Sequence, residues 1–144
     1  MAKRIVVGVD GSETAHRAAA TAGKVALASG AELHVVCAFT GLEVERIRQG
    51  SEELVLSRED DARRTATEAA RRIQRAYQEL TVRPRAAEGK PGDALVAVAE
   101  ELDADLIVVG NKRVQGLGRV LGSIARDVAA QAPCDVYVAH THAR

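Results

Sequence analysis

The chain has no tryptophan and only three aromatic residues, Phe39, Tyr77 and Tyr137, among 144. Proteins that hold single-stranded nucleic acid stack its bases on aromatic rings, so that class loses its main device. An excess of one charge is also missing: 20 basic residues balance 20 acidic ones and the formal net charge is zero. No global field draws the chain to nucleic acid or to an anionic membrane. The two cysteines, Cys37 and Cys134, lack any CxxC or CxxH spacing and lie in or beside apolar runs. They read as reduced, buried thiols, and zinc is not expected. The four histidines, His16, His34, His140 and His142, show no metal-ligand spacing either. Long apolar runs are absent. The N-terminal "MAKRIVVGVDGS" has two basic residues and a short apolar run, but Asp10 interrupts it too early for a signal-peptide core. A cytoplasmic protein with no membrane partner is expected. No general acid and base pair stands out, and Ser12 has no His or acid partner at fixed spacing, so no catalytic residues are assigned.

What is present is a regular alternation. Short apolar runs occur at "RIVVGV" (4–9), "ELHVVCAF" (32–39), "LIVVG" (106–110) and "DVYVAH" (135–140), with a weaker run at "VRPRAAE" (82–88). The first and third of these are apolar without alternation, as strands covered on both faces must be. Pro84 cannot donate to a ladder, which puts its strand at a sheet edge. Helical spacing fills the gaps at 13–28, 58–80, 93–102 and 123–131, with Ser12 and Ser57 as N-caps and Gly30 as a stop. Glu59 with Arg63 and Asp60 with Arg64 form i,i+4 pairs on a solvated helix face. The pattern predicts an open five-stranded parallel α/β sheet, Rossmann-like, with helices on both faces, in one domain over residues 1–144. Residues 40–56 have no clear pattern and read as a long, irregular connection over the carboxyl end of the second strand.

An open parallel sheet binds ligands beyond the carboxyl ends of its strands. After the first strand comes "VDGS", with Asp10; after the fourth comes "GNKRVQGLGRVLGS", with glycines, basic residues and the start of a helix. A carboxylate can accept both ribose hydroxyls, while glycines and a helix N-terminus suit a phosphate. The glycine loop is no Walker A motif, and Leu121 stands where a dinucleotide fingerprint needs glycine.

These residues carry a resemblance. "IVVGVDGSE", "GAELHVV", "ADLIVVGNK", "GRVLGS" and "APCDVYVAH" together resemble the universal stress protein family along essentially the whole chain. The resemblance implies strand order 3-2-1-4-5, a homodimer through the C-terminal strand 134–140, and in some members an adenine nucleotide held by G-x2-G-x9-G-[S/T]. Carried over, Gly110 matches the first glycine and Gly122 with Ser123 the closing pair. Asp10 matches the aspartate at the ribose, and Ala38 the position whose backbone meets adenine. Val9, Asn111, Lys112 and Ile124 complete the expected nucleotide site. Arg113 replaces the second glycine and the spacer after it is one residue short. Both departures favour a short phosphate chain, AMP or cyclic AMP, over ATP. The expected function is that of an adenine-nucleotide-binding regulatory sensor of the stress response, at most a slow nucleotide hydrolase. The other reading is a nucleotide-free homodimeric scaffold acting through protein contacts.

Overall fold

The structure, a computed structural model, describes residues 3–41, 44–49, 52–111 and 121–141; of 44–49 and 52–56 it describes the backbone only. The elements run β1 (Arg4–Gly8), α1 (Glu13–Ser29), β2 (Glu32–Phe39), β3 (Val44–Gln49), β4 (Glu52–Ser57), α2 (Arg58–Ala76), β5 (Val82–Glu88), α3 (Pro91–Leu102), β6 (Leu106–Gly110), α4 (Ser123–Gln131) and β7 (Asp135–Ala139). Five of the strands form one parallel sheet in the order β5-β2-β1-β6-β7. Counting only those strands, the order is 3-2-1-4-5. Pro84 faces Val35 on the outermost strand, where its missing N–H breaks no ladder.

The central strands are continuous apolar runs because successive side chains enter two different cores. Ile5 and Val7 of β1 join Leu33, Val35, Ala18, Ala22, Ala66 and Ile73 under α1 and α2. Val6 points the other way, to Val36, Leu95, Val98, Ile107, Val109 and Val128 under α3 and α4. A strand between two helical layers has no solvent face, so the alternation that marks a half-exposed strand never develops.

Local chemistry sets the helix ends. Ser12 Oγ accepts from the Ala15 amide at 3.2 Å, and Ser57 Oγ from the Asp60 amide at 3.1 Å. Gly30 ends α1 in the left-handed region, at φ 66°. Two expected boundaries move. The α3 helix begins at Pro91 rather than 93, because proline at the first helical position gives up an amide that has no partner there anyway. The α2 helix ends at Ala76 rather than 80. The Gln74 side-chain amide reaches the carbonyls of Tyr77 and Leu80, at 3.2 and 2.7 Å, so Leu80 enters the core from a turn.

Two further expectations are corrected. Residues 40–56 are not an irregular connection: β3 and β4 pair antiparallel, Val44 opposite Ser57 and Gln49 opposite Glu52. Arg64 pairs with Asp61, three residues away, instead of Asp60, which goes to Arg63 at 3.5 Å; the Glu59–Arg63 pair forms as expected at 3.1 Å.

Candidate functional site

The parallel arrangement brings the carboxyl ends of β1, β2 and β6 to one side of the sheet, and a cavity of about 340 Å³ opens there. That volume lies in the range of small-molecule sites. Of the residues singled out in the sequence, Val9, Asp10, Ala38, Gly110, Gly122, Ser123 and Ile124 line it. Lys112 lies outside the described residues, as do Arg113 and Arg119.

Each lining group is fixed by its element. Val9 continues β1, its amide donating to the Val36 carbonyl at 2.8 Å, and Gly11 follows at φ 84°. That turn lets the Ser12 amide donate to Asp10 Oδ1 at 2.8 Å. One carboxylate oxygen of Asp10 therefore orients the side chain, and Oδ2 has no protein donor among the described residues. Gly110 ends β6 where space runs out: a Cβ there would stand 3.1 Å from Thr14 Cγ2 and 3.2 Å from Thr141 Cγ2. This glycine serves the approach of β6 to α1 and to the segment after β7. Its conformation needs no positive φ.

Asn111 has a different place from the one expected. It is not among the lining residues. Its Oδ1 accepts from the Gly122 amide at 2.7 Å, and its carbonyl accepts from Thr141 Oγ1 at 3.2 Å. Arg17 in turn donates to the Thr141 carbonyl at 3.3 Å. The side chain thus ties the end of β6 to the start of α4, across the loop between them.

The start of α4 brings backbone donors to the site. Its N-cap is Gly122, and no side chain caps it. The amides of Ser123, Ile124 and Ala125 have no acceptor inside the helix, and all three residues line the cavity. They present donors and the positive end of the helix dipole. The apolar part of the lining is formed by Val36, Pro91 and Leu95. Sequence reasoning missed this part, since only the strand order brings α3 to β2. It also missed Arg126, which lines the cavity from one turn into α4. The signal was available: Arg126 stands four residues after Gly122, on the same helix face.

Burial, with a smaller contribution from the Asp10 charge, pushes the Cys37 thiol up; burial likewise raises Cys134. Raised thiols are poor nucleophiles at neutral pH, and both are free cysteines.

The cavity at the strand ends thus has a carboxylate and the start of a helix without a side-chain cap in its lining. The model of the universal stress protein family matches residues 1–140. The chain belongs to that family. A universal stress protein of Mycobacterium tuberculosis is 33% identical over 147 residues, covering 96% of this chain and 97% of the relative. Among solved structures, a universal stress protein in complex with cAMP is 33% identical, with a TM-score of 0.74 and 98% of both chains covered. One from Archaeoglobus fulgidus in complex with dAMP is 27% identical, with a TM-score of 0.66, over 94% of this chain and 96% of that one. Among the described residues no helix is long and apolar enough to cross a membrane.

Proposed function

We propose that this chain binds one adenine nucleotide in the cavity at the carboxyl end of the sheet and acts as a cytoplasmic regulatory sensor of the stress response. The observation that carries the reading is the uncapped start of α4, whose free amides share a cavity with Asp10. The phosphate lies on the amides of Ser123, Ile124 and Ala125, as anions do at helix N-termini. The free oxygen of Asp10 accepts from the ribose, and the base lies toward Ala38, Pro91 and Leu95. Val9 and Gly110 line the same cavity, and the sequence offers Lys112 as a further cation for the phosphate. Relatives of this fold and comparable sequence are solved with cAMP and with dAMP, which supports an adenine ligand of short phosphate chain. Arg113 and the shortened spacer point the same way. No residue is assigned to catalysis, so any hydrolysis is slow. Mass spectrometry of the natively purified protein tests the reading: AMP or cyclic AMP at about one per chain is expected. Protein that carries no nucleotide and gains none on incubation with millimolar AMP would contradict it.

The protein is proposed to be a homodimer through residues 134–140. Among the described residues the β7 strand pairs only with β6, and Tyr137 and Val138 are exposed, at 44% and 37%. An edge with apolar side chains needs cover, and a second copy supplies it across a two-fold axis. The same observation favours the scaffold reading if no nucleotide is found. Sedimentation at micromolar concentration should give twice the chain mass; a monomer there contradicts the pairing.

A further inference from the structure

The α4 helix differs from the other three in the charge of its first turn. The α1, α2 and α3 helices begin with acidic residues, Glu13, then Glu59, Asp60 and Asp61, then Asp93. Acidic groups there complement the positive end of the helix dipole. The first turn of α4 has none. Arg126 follows instead, one turn past Gly122, and lines the cavity together with Ser123, Ile124 and Ala125. A helical side chain covers the turn N-terminal to its own Cα, so the guanidinium belongs over the free amides. Among the described residues it has no hydrogen bond and no ion pair. A cation and a positive helix end therefore line one cavity, and among the described residues neither has a hydrogen-bonded or ion-paired acidic partner.

We infer that Arg126 is a specificity-determining residue that makes the cavity prefer a nucleoside 5′-phosphomonoester over the cyclic phosphodiester of the same nucleoside. The inference rests on the nucleotide reading above. A phosphomonoester carries a charge of about −1.5 to −2 at neutral pH and three terminal oxygens. A cyclic diester carries a single charge and has two free oxygens. The α4 amides suffice for a singly charged group. The second charge and third oxygen need a further donor, and the planar fork of an arginine meets phosphate oxygens in pairs. Asp10 works against a second negative charge in the same cavity, which makes a dedicated counter-cation more necessary.

The test is calorimetric titration of adenosine, AMP and cyclic AMP into the wild-type protein and the variants Arg126→Gln and Arg126→Lys. The wild type should bind AMP about tenfold more tightly than cyclic AMP, a difference of about 1.4 kcal/mol. Arg126→Gln should weaken AMP by about tenfold and change cyclic AMP and adenosine by less than about threefold, so the preference disappears. Arg126→Lys keeps the charge and should retain most of it. Arg126 is exposed, so melting temperatures should stay the same. Equal losses for AMP and cyclic AMP, or no loss for AMP, overturn the inference and leave the site standing. A wild type that binds cyclic AMP as tightly as AMP overturns it too. If the wild type binds none of the three, the nucleotide reading itself fails.

Discussion

The two ends of the sheet differ in how completely their polar groups are paired. At the amino end they pair with one another. The Arg4 amide donates to Asp105 Oδ2 at 3.0 Å, and its guanidinium donates to Glu32 Oε1 at 3.1 Å and to the Leu102 carbonyl at 2.8 Å. His34, buried on β2, donates to the same Glu32 oxygen at 2.8 Å. At the carboxyl end, among the described residues, the start of α4 has no side-chain cap, Asp10 Oδ2 has no donor and Arg126 has no partner for its guanidinium. Unpaired donors cost stability that paired ones contribute. The comparison separates an end that holds the fold together from an end left open for a ligand. It also says where a mutation should be felt as melting temperature and where as affinity.

The largest effect on stability is expected at the closed end. Replacing Glu32 by Ala strands a buried His34 and removes one Arg4 contact, and should cost about 1–2 kcal/mol, between the values for buried and exposed charged hydrogen bonds. Chemical denaturation measures it, and nucleotide affinity should not change. At the open end the pattern reverses. Asp10→Ala and Gly122→Val should each weaken nucleotide binding at least tenfold, about 1.4 kcal/mol, with the fold intact. Gly122 adopts φ −67° and ψ 166°, which any residue accepts, so valine brings no backbone strain to a position that lines the cavity. If Gly122→Val instead lowers the melting temperature and leaves affinity alone, the open end is structural after all.

Ser12→Ala tests a capped helix at the same end of the sheet. It removes the Oγ acceptor of the Ala15 amide and should cost roughly 1 kcal/mol of stability. Its effect on affinity should be smaller than that of Asp10→Ala, since Ser12 already has a structural role.

The smallest effect is on the acid limb. Hydrogen bonding from His34, then from Arg4, holds the Glu32 carboxyl below its ordinary value of 4.5, against the opposing effect of burial. A lowered carboxylate contributes stability that is complete above that ordinary value and is lost as pH falls through the folded value. Glu32→Gln should therefore flatten the fall of melting temperature below about pH 4.5 and leave the curve above pH 6 parallel to the wild type. A steeper acid fall in the variant would contradict the assigned direction.

The sheet was legible because its strands are buried on both faces and read as apolar runs, and because Pro84 marks an edge. The hairpin of β3 and β4 was not. Its strands "VERIRQ" and "EELVLS" are rich in charge, and the weak alternation around Gly50 and Ser51 is indistinguishable from a polar loop when strands are sought as apolar runs. The polar half of the cavity was legible because Asp10, Gly122 and Ser123 directly follow or precede elements whose ends could be read. The apolar half was not, since Pro91 and Leu95 reach the cavity only through the crossover from β5. Asn111 could not be placed from the motif alone: its side-chain oxygen accepts from the Gly122 amide, a contact that the spacing in sequence does not show.

The central claim is that the open end of the sheet is a nucleotide site. Titration calorimetry with AMP, cyclic AMP, ADP and ATP, on the wild type and on Gly122→Val, tests it most directly. The account predicts one site per chain, AMP or cyclic AMP tighter than ATP, and at least about tenfold weaker binding in the variant. If no adenine nucleotide binds the wild type below millimolar concentration, the claim is contradicted and the scaffold reading stands; if ATP binds tightest, the site survives but the inference from Arg113 and the short spacer is wrong.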